Sequence, residues 1–194
     1  NGLPRYFLFE AGAAGKGALT LTIYHGSNIV AQTSAWMDFH EIRDFYEEAA
    51  VRDVVQTWPE MVQTNLDSTY TVVSYPTASI GDANQTTVFV HGWRMAYSDY
   101  EIFSQTMFKR LYWQGYQGKF ATLRWPTRSS DTDSNGLDYV TYNRSEHIAF
   151  ESGTGAALYL YDLRNRFTND TISVCAHSQG NIVMMEALKE LAGS

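Results

Sequence analysis

The chain has 194 residues, 44% of them hydrophobic, and a formal net charge of −7. That length suits one medium domain, or one with a small companion, and the composition supports a real core. An acidic balance with no block of basic residues argues against nucleic acid or an anionic membrane surface as a partner, no apolar stretch approaches the roughly 20 residues that span a bilayer, and no charged-then-apolar leader opens the sequence. The expectation is a soluble chain, and nothing in it names a compartment.

The sequence begins with Asn1-Gly2-Leu3-Pro4 rather than Met and runs straight into Tyr6-Phe7-Leu8-Phe9, which reads as the start of a piece cut from something longer. Tyr6 to Phe9 is a strand candidate. Gly12, Gly15 and Gly17 then read as a flexible loop, and not as a phosphate loop, because no helix follows. Leu19-Thr20-Leu21-Thr22-Ile23-Tyr24 alternates at period two, His25-Gly26-Ser27-Asn28 is turn chemistry, and Ile29 to Trp36 is a returning strand. A helix is expected from Asp38, capped by that side chain with Glu41 three residues on, and carrying Ile42, Phe45, Tyr46 and Ala49 on one face. Residues 1–50 are thus a β-rich segment with a short helix, either the tail of a β-rich module or an extension of the main sheet. Residues 51–194 form the second part.

From residue 51 to 85 only Tyr70 to Tyr75 reads as a strand, with loop from Pro76 to Gln85. The pattern then becomes regular. A strand at residues 86–91 precedes a helix opened by the capping box Ser98-Asp99-Tyr100-Glu101, with the apolar stripe Tyr100, Phe103, Met107 and Leu111. A strand at Phe120 to Trp125, a polar loop from Pro126 to about Asp138 and a long helix from about Ser145 to Phe167 follow. Gly153, Gly155, Ala156 and Ala157 would let that helix lie close against the sheet, although each glycine costs about 1 kcal/mol relative to alanine. The strand Thr171 to Cys175 and a last helix end the sequence. Strand and helix alternating three times predicts an α/β fold, a parallel sheet with helices on both faces.

The most informative pattern lies between that last strand and helix. Ala176-His177-Ser178-Gln179-Gly180 places a serine on a strand-to-helix turn so tight that the residues two before and two after it must be small. Ala176 and Gly180 meet that demand. The turn would push the Ser178 hydroxyl out above the sheet, where free N–H groups at the helix start face any anion that forms. Upstream, Thr86-Thr87-Val88-Phe89-Val90 leads into His91-Gly92-Trp93. In this order and on strand ends, the two motifs resemble the α/β-hydrolase superfamily, in particular its lipase and esterase-like members, over roughly residues 86–192. The resemblance implies a nucleophile elbow at Ser178 and an oxyanion loop at His91 and Gly92, with oxyanion-hole N–H groups from Trp93 and Gln179. It implies hydrolysis of carboxylic esters or acyl groups, with acyl transfer to an alcohol sharing the same nucleophile.

A serine hydroxyl needs a histidine to take its proton and an acid to orient that histidine. In the superfamily both follow the serine, so they are expected beyond residue 194. Among internal candidates, His177 should turn away into sheet or helix packing. His91 should hydrogen-bond to loop backbone, and His147 would need the loop at residues 126–142 to fold over the site. His25 and His40 read as surface or packing residues. Asp131, Asp133 and Asp138 share the C-terminal sheet edge with Ser178 and read either as a solvated loop or as groups that touch a substrate or orient a base. Trp93, Met95, Tyr97 and Trp125 read either as an acyl pocket or as core. Cys175, the only cysteine, reads as a buried small hydrophobe. The sequons at Asn84, Asn143 and Asn169 carry weight only in a eukaryotic secretory protein. Glu186 and Lys189 read as a solvated helix face. No grouping has metal-ligand spacing and no glycine-rich turn opens a nucleotide site, so no cofactor is expected. The predicted partner is a small ester or acyl substrate. A hydrolase-like module with a binding or structural role in a larger or oligomeric protein is the alternative, and a homo-oligomer would form through a sheet edge left bare after the last strand.

Overall fold

The computed structural model describes residues 11–51, 69–95, 97–127 and 139–193 and divides into two units, residues 1–42 and 43–194. The reading of Tyr6 to Phe9 as a strand falls outside the described residues. In the first unit β1 (Gly15–His25) pairs antiparallel with β2 (Asn28–Phe39), from Gly15 opposite Phe39 to His25 opposite Asn28. Gly26 turns the hairpin at φ 62°, a conformation that only glycine adopts without cost. The expected hairpin is present, but Gly15 and Gly17 lie within β1 and not in a loop. Strand pairing uses main-chain groups alone, and Phe39 and Met37 opposite supply the side chains that the glycines lack. Leu19, Leu21 and Ile23 share one face of β1 and are exposed.

The second unit is built on a five-stranded sheet of β3 (Tyr46–Val51), β4 (Tyr70–Ser74), β5 (Gln85–Val90), β6 (Lys119–Arg124) and β7 (Thr171–Ala176), in the spatial order β4-β3-β6-β5-β7. β3, β6, β5 and β7 run parallel, and β4 closes one edge antiparallel to β3. Helix α1 (Tyr97–Trp113) connects β5 to β6; α2 (Tyr139–Glu151) and α3 (Gly153–Arg166) lie between β6 and β7, and α4 (Gly180–Gly193) follows β7. The sheet is packed on both faces, as the alternation predicted. On one face Ala49, Val51, Val88, Val90, Ala121 and Leu123 meet the apolar sides of α3 and α4. On the other, Phe108 of α1 lies against Tyr46 and Phe120, and the Tyr100 hydroxyl meets that of Thr122 at 2.5 Å.

The helix expected after Asp38 is not there. Residues 42–45 make one 3₁₀ turn and Tyr46–Val51 is strand β3, buried along its whole length. The spacing of Ile42, Phe45, Tyr46 and Ala49 satisfies a helix, yet a strand flanked by two others and covered on both faces buries every position and erases any period. Even Glu47 and Glu48 are buried. Glu47 is paired in two-pronged fashion with Arg166 at 2.8 Å to each oxygen and accepts from the Tyr159 hydroxyl at 2.8 Å. Stripping one partner from such a pair costs about 3–5 kcal/mol.

The long helix is also two helices, α2 and α3, parted at Ser152, whose hydroxyl donates to the Ile148 carbonyl at 2.7 Å. The glycines do allow close approach. A Cβ on Gly155 would stand 2.5 Å from the Thr69 carbonyl oxygen, and one on Gly153 would stand 2.5 Å from Cβ of Glu186 on α4. On α1 the buried stripe is Tyr100, Ser104 and Phe108, while Phe103, expected inside, is exposed. Cys175 is exposed as well. It lies opposite Phe89 on the face that α1 covers, but β7 is the edge of the sheet and α1 packs over β3 and β6. Lys189 pairs with Glu186 at 3.1 Å on the exposed side of α4.

Candidate functional site

Two turns stand side by side where β5 and β7 end. The strands are parallel neighbours with Val88 opposite Val174 and Val90 opposite Ala176, so both turns emerge on one edge of the sheet. After β7 the chain stays tied to β5 for one more residue, through His177 N–H to the Val90 carbonyl at 2.9 Å. Ser178 then reverses direction at φ 51°, in left-handed space, and is exposed. A side chain held there costs on the order of 1–3 kcal/mol. The helix takes over at once: Gly180 N–H bonds to the His177 carbonyl at 2.9 Å and Asn181 N–H to the Ser178 carbonyl at 3.0 Å. The Asn181 side-chain amide donates to the same carbonyl at 2.9 Å. The sharp strand-to-helix turn expected at Ser178 is present.

The small residues around that turn have a measurable reason. A Cβ on Gly180 would lie 2.5 Å from the His91 carbonyl oxygen and 2.9 Å from that of Val90. A Cβ on Gly92 would lie 2.8 Å from both Cβ of Ser178 and Nδ1 of His177. Each turn therefore presses a glycine against the other, and neither glycine has room for a methyl group.

The loop after β5 is held by His91, fully buried in the space between β5 and β6. Its Nδ1 bonds to the Gly92 carbonyl at 2.9 Å, and its Nε2 accepts from the Trp125 main-chain N–H at 3.1 Å. Trp125 in turn donates its indole N–H to the His91 carbonyl at 2.7 Å and stacks on the imidazole at 5.5 Å. These partners require a neutral ring with its proton on Nδ1. Burial drives the His91 pKa down from 6.5 to about 4. The expectation of a histidine bonded to loop backbone is met. Three residues on, Arg94 sits at φ 58°, its N–H donating to Thr127 Oγ1 at 3.2 Å, and Thr127 meets the Ser145 hydroxyl at 3.0 Å. Thr127 and Ser145 are both buried.

Between these tethers lie the two N–H groups expected to face an oxyanion. Neither the main-chain N–H of Trp93 nor that of Gln179 has a hydrogen-bond partner among the described residues. The side chains of both residues reach α2: Trp93 meets the Tyr142 ring edge-on at 5.1 Å, and the Gln179 amide donates to the Tyr142 carbonyl at 3.2 Å. Among the described residues the Trp93 indole N–H and the Gln179 side-chain oxygen are buried without a partner.

His177 does not turn into the packing as expected. It is exposed, with its ring stacked on Phe103 of α1 at 6.2 Å, because α1 leaves the β7 edge open. His147 is exposed and pairs with Glu151 at 3.1 Å. His40 lies 3.5 Å from Asp38. Asp131, Asp133 and Asp138 fall outside the described residues. Of the aromatic and sulfur-bearing candidates, Trp125 and Met95 are core, and Tyr97 packs against Arg124 and Tyr100; only Trp93 stands at the Ser178 edge partly exposed. Arg94, Thr127, Ser145 and Tyr142 were not singled out by sequence. No local pattern marks them, since their role comes from meeting across the fold.

Among the described residues no three His, Cys, Asp or Glu side chains gather as metal ligands, and no helix is long and apolar enough to cross a membrane. A cavity of about 420 Å³ does exist, lined by Phe45, Thr86, Lys119 and Phe167 among others. It opens at the start of β5 and β6, the opposite end of the strands from Ser178, and contains none of the residues above. Ligands of parallel sheets bind at the carboxyl ends of the strands, the end at which Ser178 stands.

Comparison with known proteins bears on the same stretch. The family model for alpha/beta hydrolases of unknown function, DUF900, matches residues 77–194, more than half of the chain. No match was found among curated proteins or among solved structures. The matched span takes in the elbow turn, the loop after β5 and the parallel strands β5, β6 and β7 that carry them, and the chain belongs to the DUF900 family of alpha/beta hydrolases.

Proposed function

We propose that the protein is a serine hydrolase acting on carboxylic esters or related acyl groups, with Ser178 as its nucleophile. The observation that carries this reading is the pairing of a left-handed Ser178 with two unbonded N–H groups, of Trp93 and Gln179, on one sheet edge. In the first half-reaction the Ser178 oxygen attacks the acyl carbon while a base takes its proton. The carbonyl oxygen becomes an oxyanion stabilised by the two N–H groups, each worth about 3 kcal/mol by analogy with other oxyanion holes. Collapse expels the alcohol, which recovers the proton, and leaves an acyl-serine. Water, or a second alcohol, then repeats the sequence in reverse.

The base is not His91, whose two ring nitrogens are both engaged and whose depressed pKa keeps it neutral. We assign base and acid to residues outside those described. The test is labelling by a fluorophosphonate probe, with mass spectrometry to locate the adduct. The adduct is expected on Ser178 and absent from Ser178→Ala; an unmodified Ser178 in the wild-type protein would sink the reading. Its rival, a non-catalytic module within an assembly, draws on one observation: among the described residues β7 is the open edge of the sheet, with Val174 and Cys175 exposed. Light scattering over a concentration series separates the two, since the rival needs association through that edge and the hydrolase does not.

A further inference from the structure

The proposed oxyanion donor of Trp93 is one end of a peptide group whose other end is the Gly92 carbonyl. A trans peptide is planar, so whatever holds the carbonyl also aims the N–H in the opposite direction. His91 holds the carbonyl, at 2.9 Å. Rotation about the Trp93 backbone would still be free were the next peptide loose, but it is not. The Arg94 N–H is bound to Thr127 Oγ1 at 3.2 Å, and Thr127 is itself fixed by Ser145 at 3.0 Å. Both hydroxyls are buried, at 1% and 0% exposure, so water does not compete for them. The Arg94 backbone at φ 58° is a strained state for a residue that carries a Cβ, and a state of that kind persists only where its surroundings enforce it. The Thr127 hydroxyl meets this backbone.

Building on the serine-hydrolase reading above, we propose that Thr127, clamped by Ser145 on α2, is a positioning residue that locks Arg94 in left-handed space and thereby aims the Trp93 N–H at the reacting oxygen. The clamp also ties the loop to α2, whose Tyr142 contacts both Trp93 and Gln179. Nothing in this role requires Thr127 to touch substrate.

The test compares Thr127→Val, which keeps the shape and removes the acceptor, with Thr127→Ser, which keeps the acceptor. Two readouts are taken on the full chain. Crystal structures, with amide resonances of Trp93 and Arg94 in solution, report the loop. In Thr127→Val the Arg94 backbone should leave left-handed space and both amide resonances should move; in Thr127→Ser neither should. The rate of fluorophosphonate labelling at Ser178 reports the chemistry. It should fall roughly tenfold to a hundredfold in Thr127→Val and recover in Thr127→Ser, as expected for a displaced donor. An unchanged Arg94 conformation in Thr127→Val, or full labelling with a displaced loop, overturns the proposal. Wild-type protein that never labels overturns the hydrolase reading instead, and the structural arm still decides the anchor. Should Thr127→Val fail to fold, Ser145→Ala loosens the same hydroxyl and is read in the same way.

Discussion

The two turns at the ends of β5 and β7 solve the same problem by different means. Each carries one non-glycine residue in left-handed space, Ser178 in one and Arg94 in the other, and each pushes a glycine into its neighbour. The β7 turn is held mostly by its own chain. Gly180, Asn181 and Ile182 donate N–H groups back to His177, Ser178 and Gln179, and the helix that follows enforces the geometry. The β5 turn has no helix directly behind it. It is held by side chains and N–H groups from Trp125, Thr127 and Ser145, which belong to other parts of the sequence. A self-held turn depends on local sequence, while a turn held from outside depends on the whole fold being in place.

That difference can be broken first at the shared clasp. Gly180→Ala forces a methyl to within 2.5 Å of the His91 carbonyl, a main-chain atom that cannot swing aside. We expect a loss of about 3 kcal/mol or more in denaturant unfolding. Gly92→Ala meets the Ser178 Cβ at 2.8 Å and the His177 carbonyl oxygen at 2.9 Å, and only the His177 ring can yield, so its loss should be somewhat smaller because its nearest main-chain atom lies farther off than the 2.5 Å at Gly180. Equal losses would mean that the two turns are one rigid body rather than one turn resting on another.

A pH titration addresses the externally held turn alone. His91 is neutral in the folded protein down to about pH 4, whereas an unfolded histidine protonates near 6.5. Between those values the unfolded chain binds the extra proton, so stability falls as pH is lowered from 6.5 towards 4 and this contribution is fully present above 6.5. The span corresponds to on the order of 3 kcal/mol. Glu48, whose carboxyl burial pushes upward, acts in the opposite sense and is common to both proteins when wild type is compared with His91→Asn. The difference between their stability curves should flatten above pH 6.5 and narrow steadily below it. A difference independent of pH would show that His91 charges freely in the folded state.

The same contrast explains what the sequence disclosed. Ala176, Ser178 and Gly180 announce a self-held turn because the steric demand falls on residues within two positions of the serine. The strand ends and the parallel order were legible for the same local reason, period and turn chemistry. His91 was readable as a loop-bonded ring, but its partner Trp125 was read only as pocket or core. Thr127 and Ser145 sit in segments read as loop and helix start, and nothing in their spacing says that they meet. Strand β3 was misread because complete burial removes the periodicity that sequence reading relies on. Cys175 was misread in the reverse way, since apolar neighbours do not disclose that a strand lies at the sheet edge.

The finest test releases the strain in each turn separately. Glycine adopts left-handed space without penalty, so Ser178→Gly and Arg94→Gly both remove a steric cost while giving the unfolded chain more freedom. For Ser178, which its own helix forces into place, the relief should outweigh the entropy and stabilise the protein by about 0.5–1 kcal/mol. Arg94 also stacks its guanidinium over Trp93 at 5.8 Å, a contact worth about 0.5–1 kcal/mol at exposed sites, and glycine forfeits it. The gain at Arg94 should therefore be smaller than at Ser178, measured as denaturant midpoints at constant slope. Stabilisation at Arg94 but not at Ser178 would reverse the comparison, making the β5 loop the more strained of the two and its outside anchors the weaker restraint.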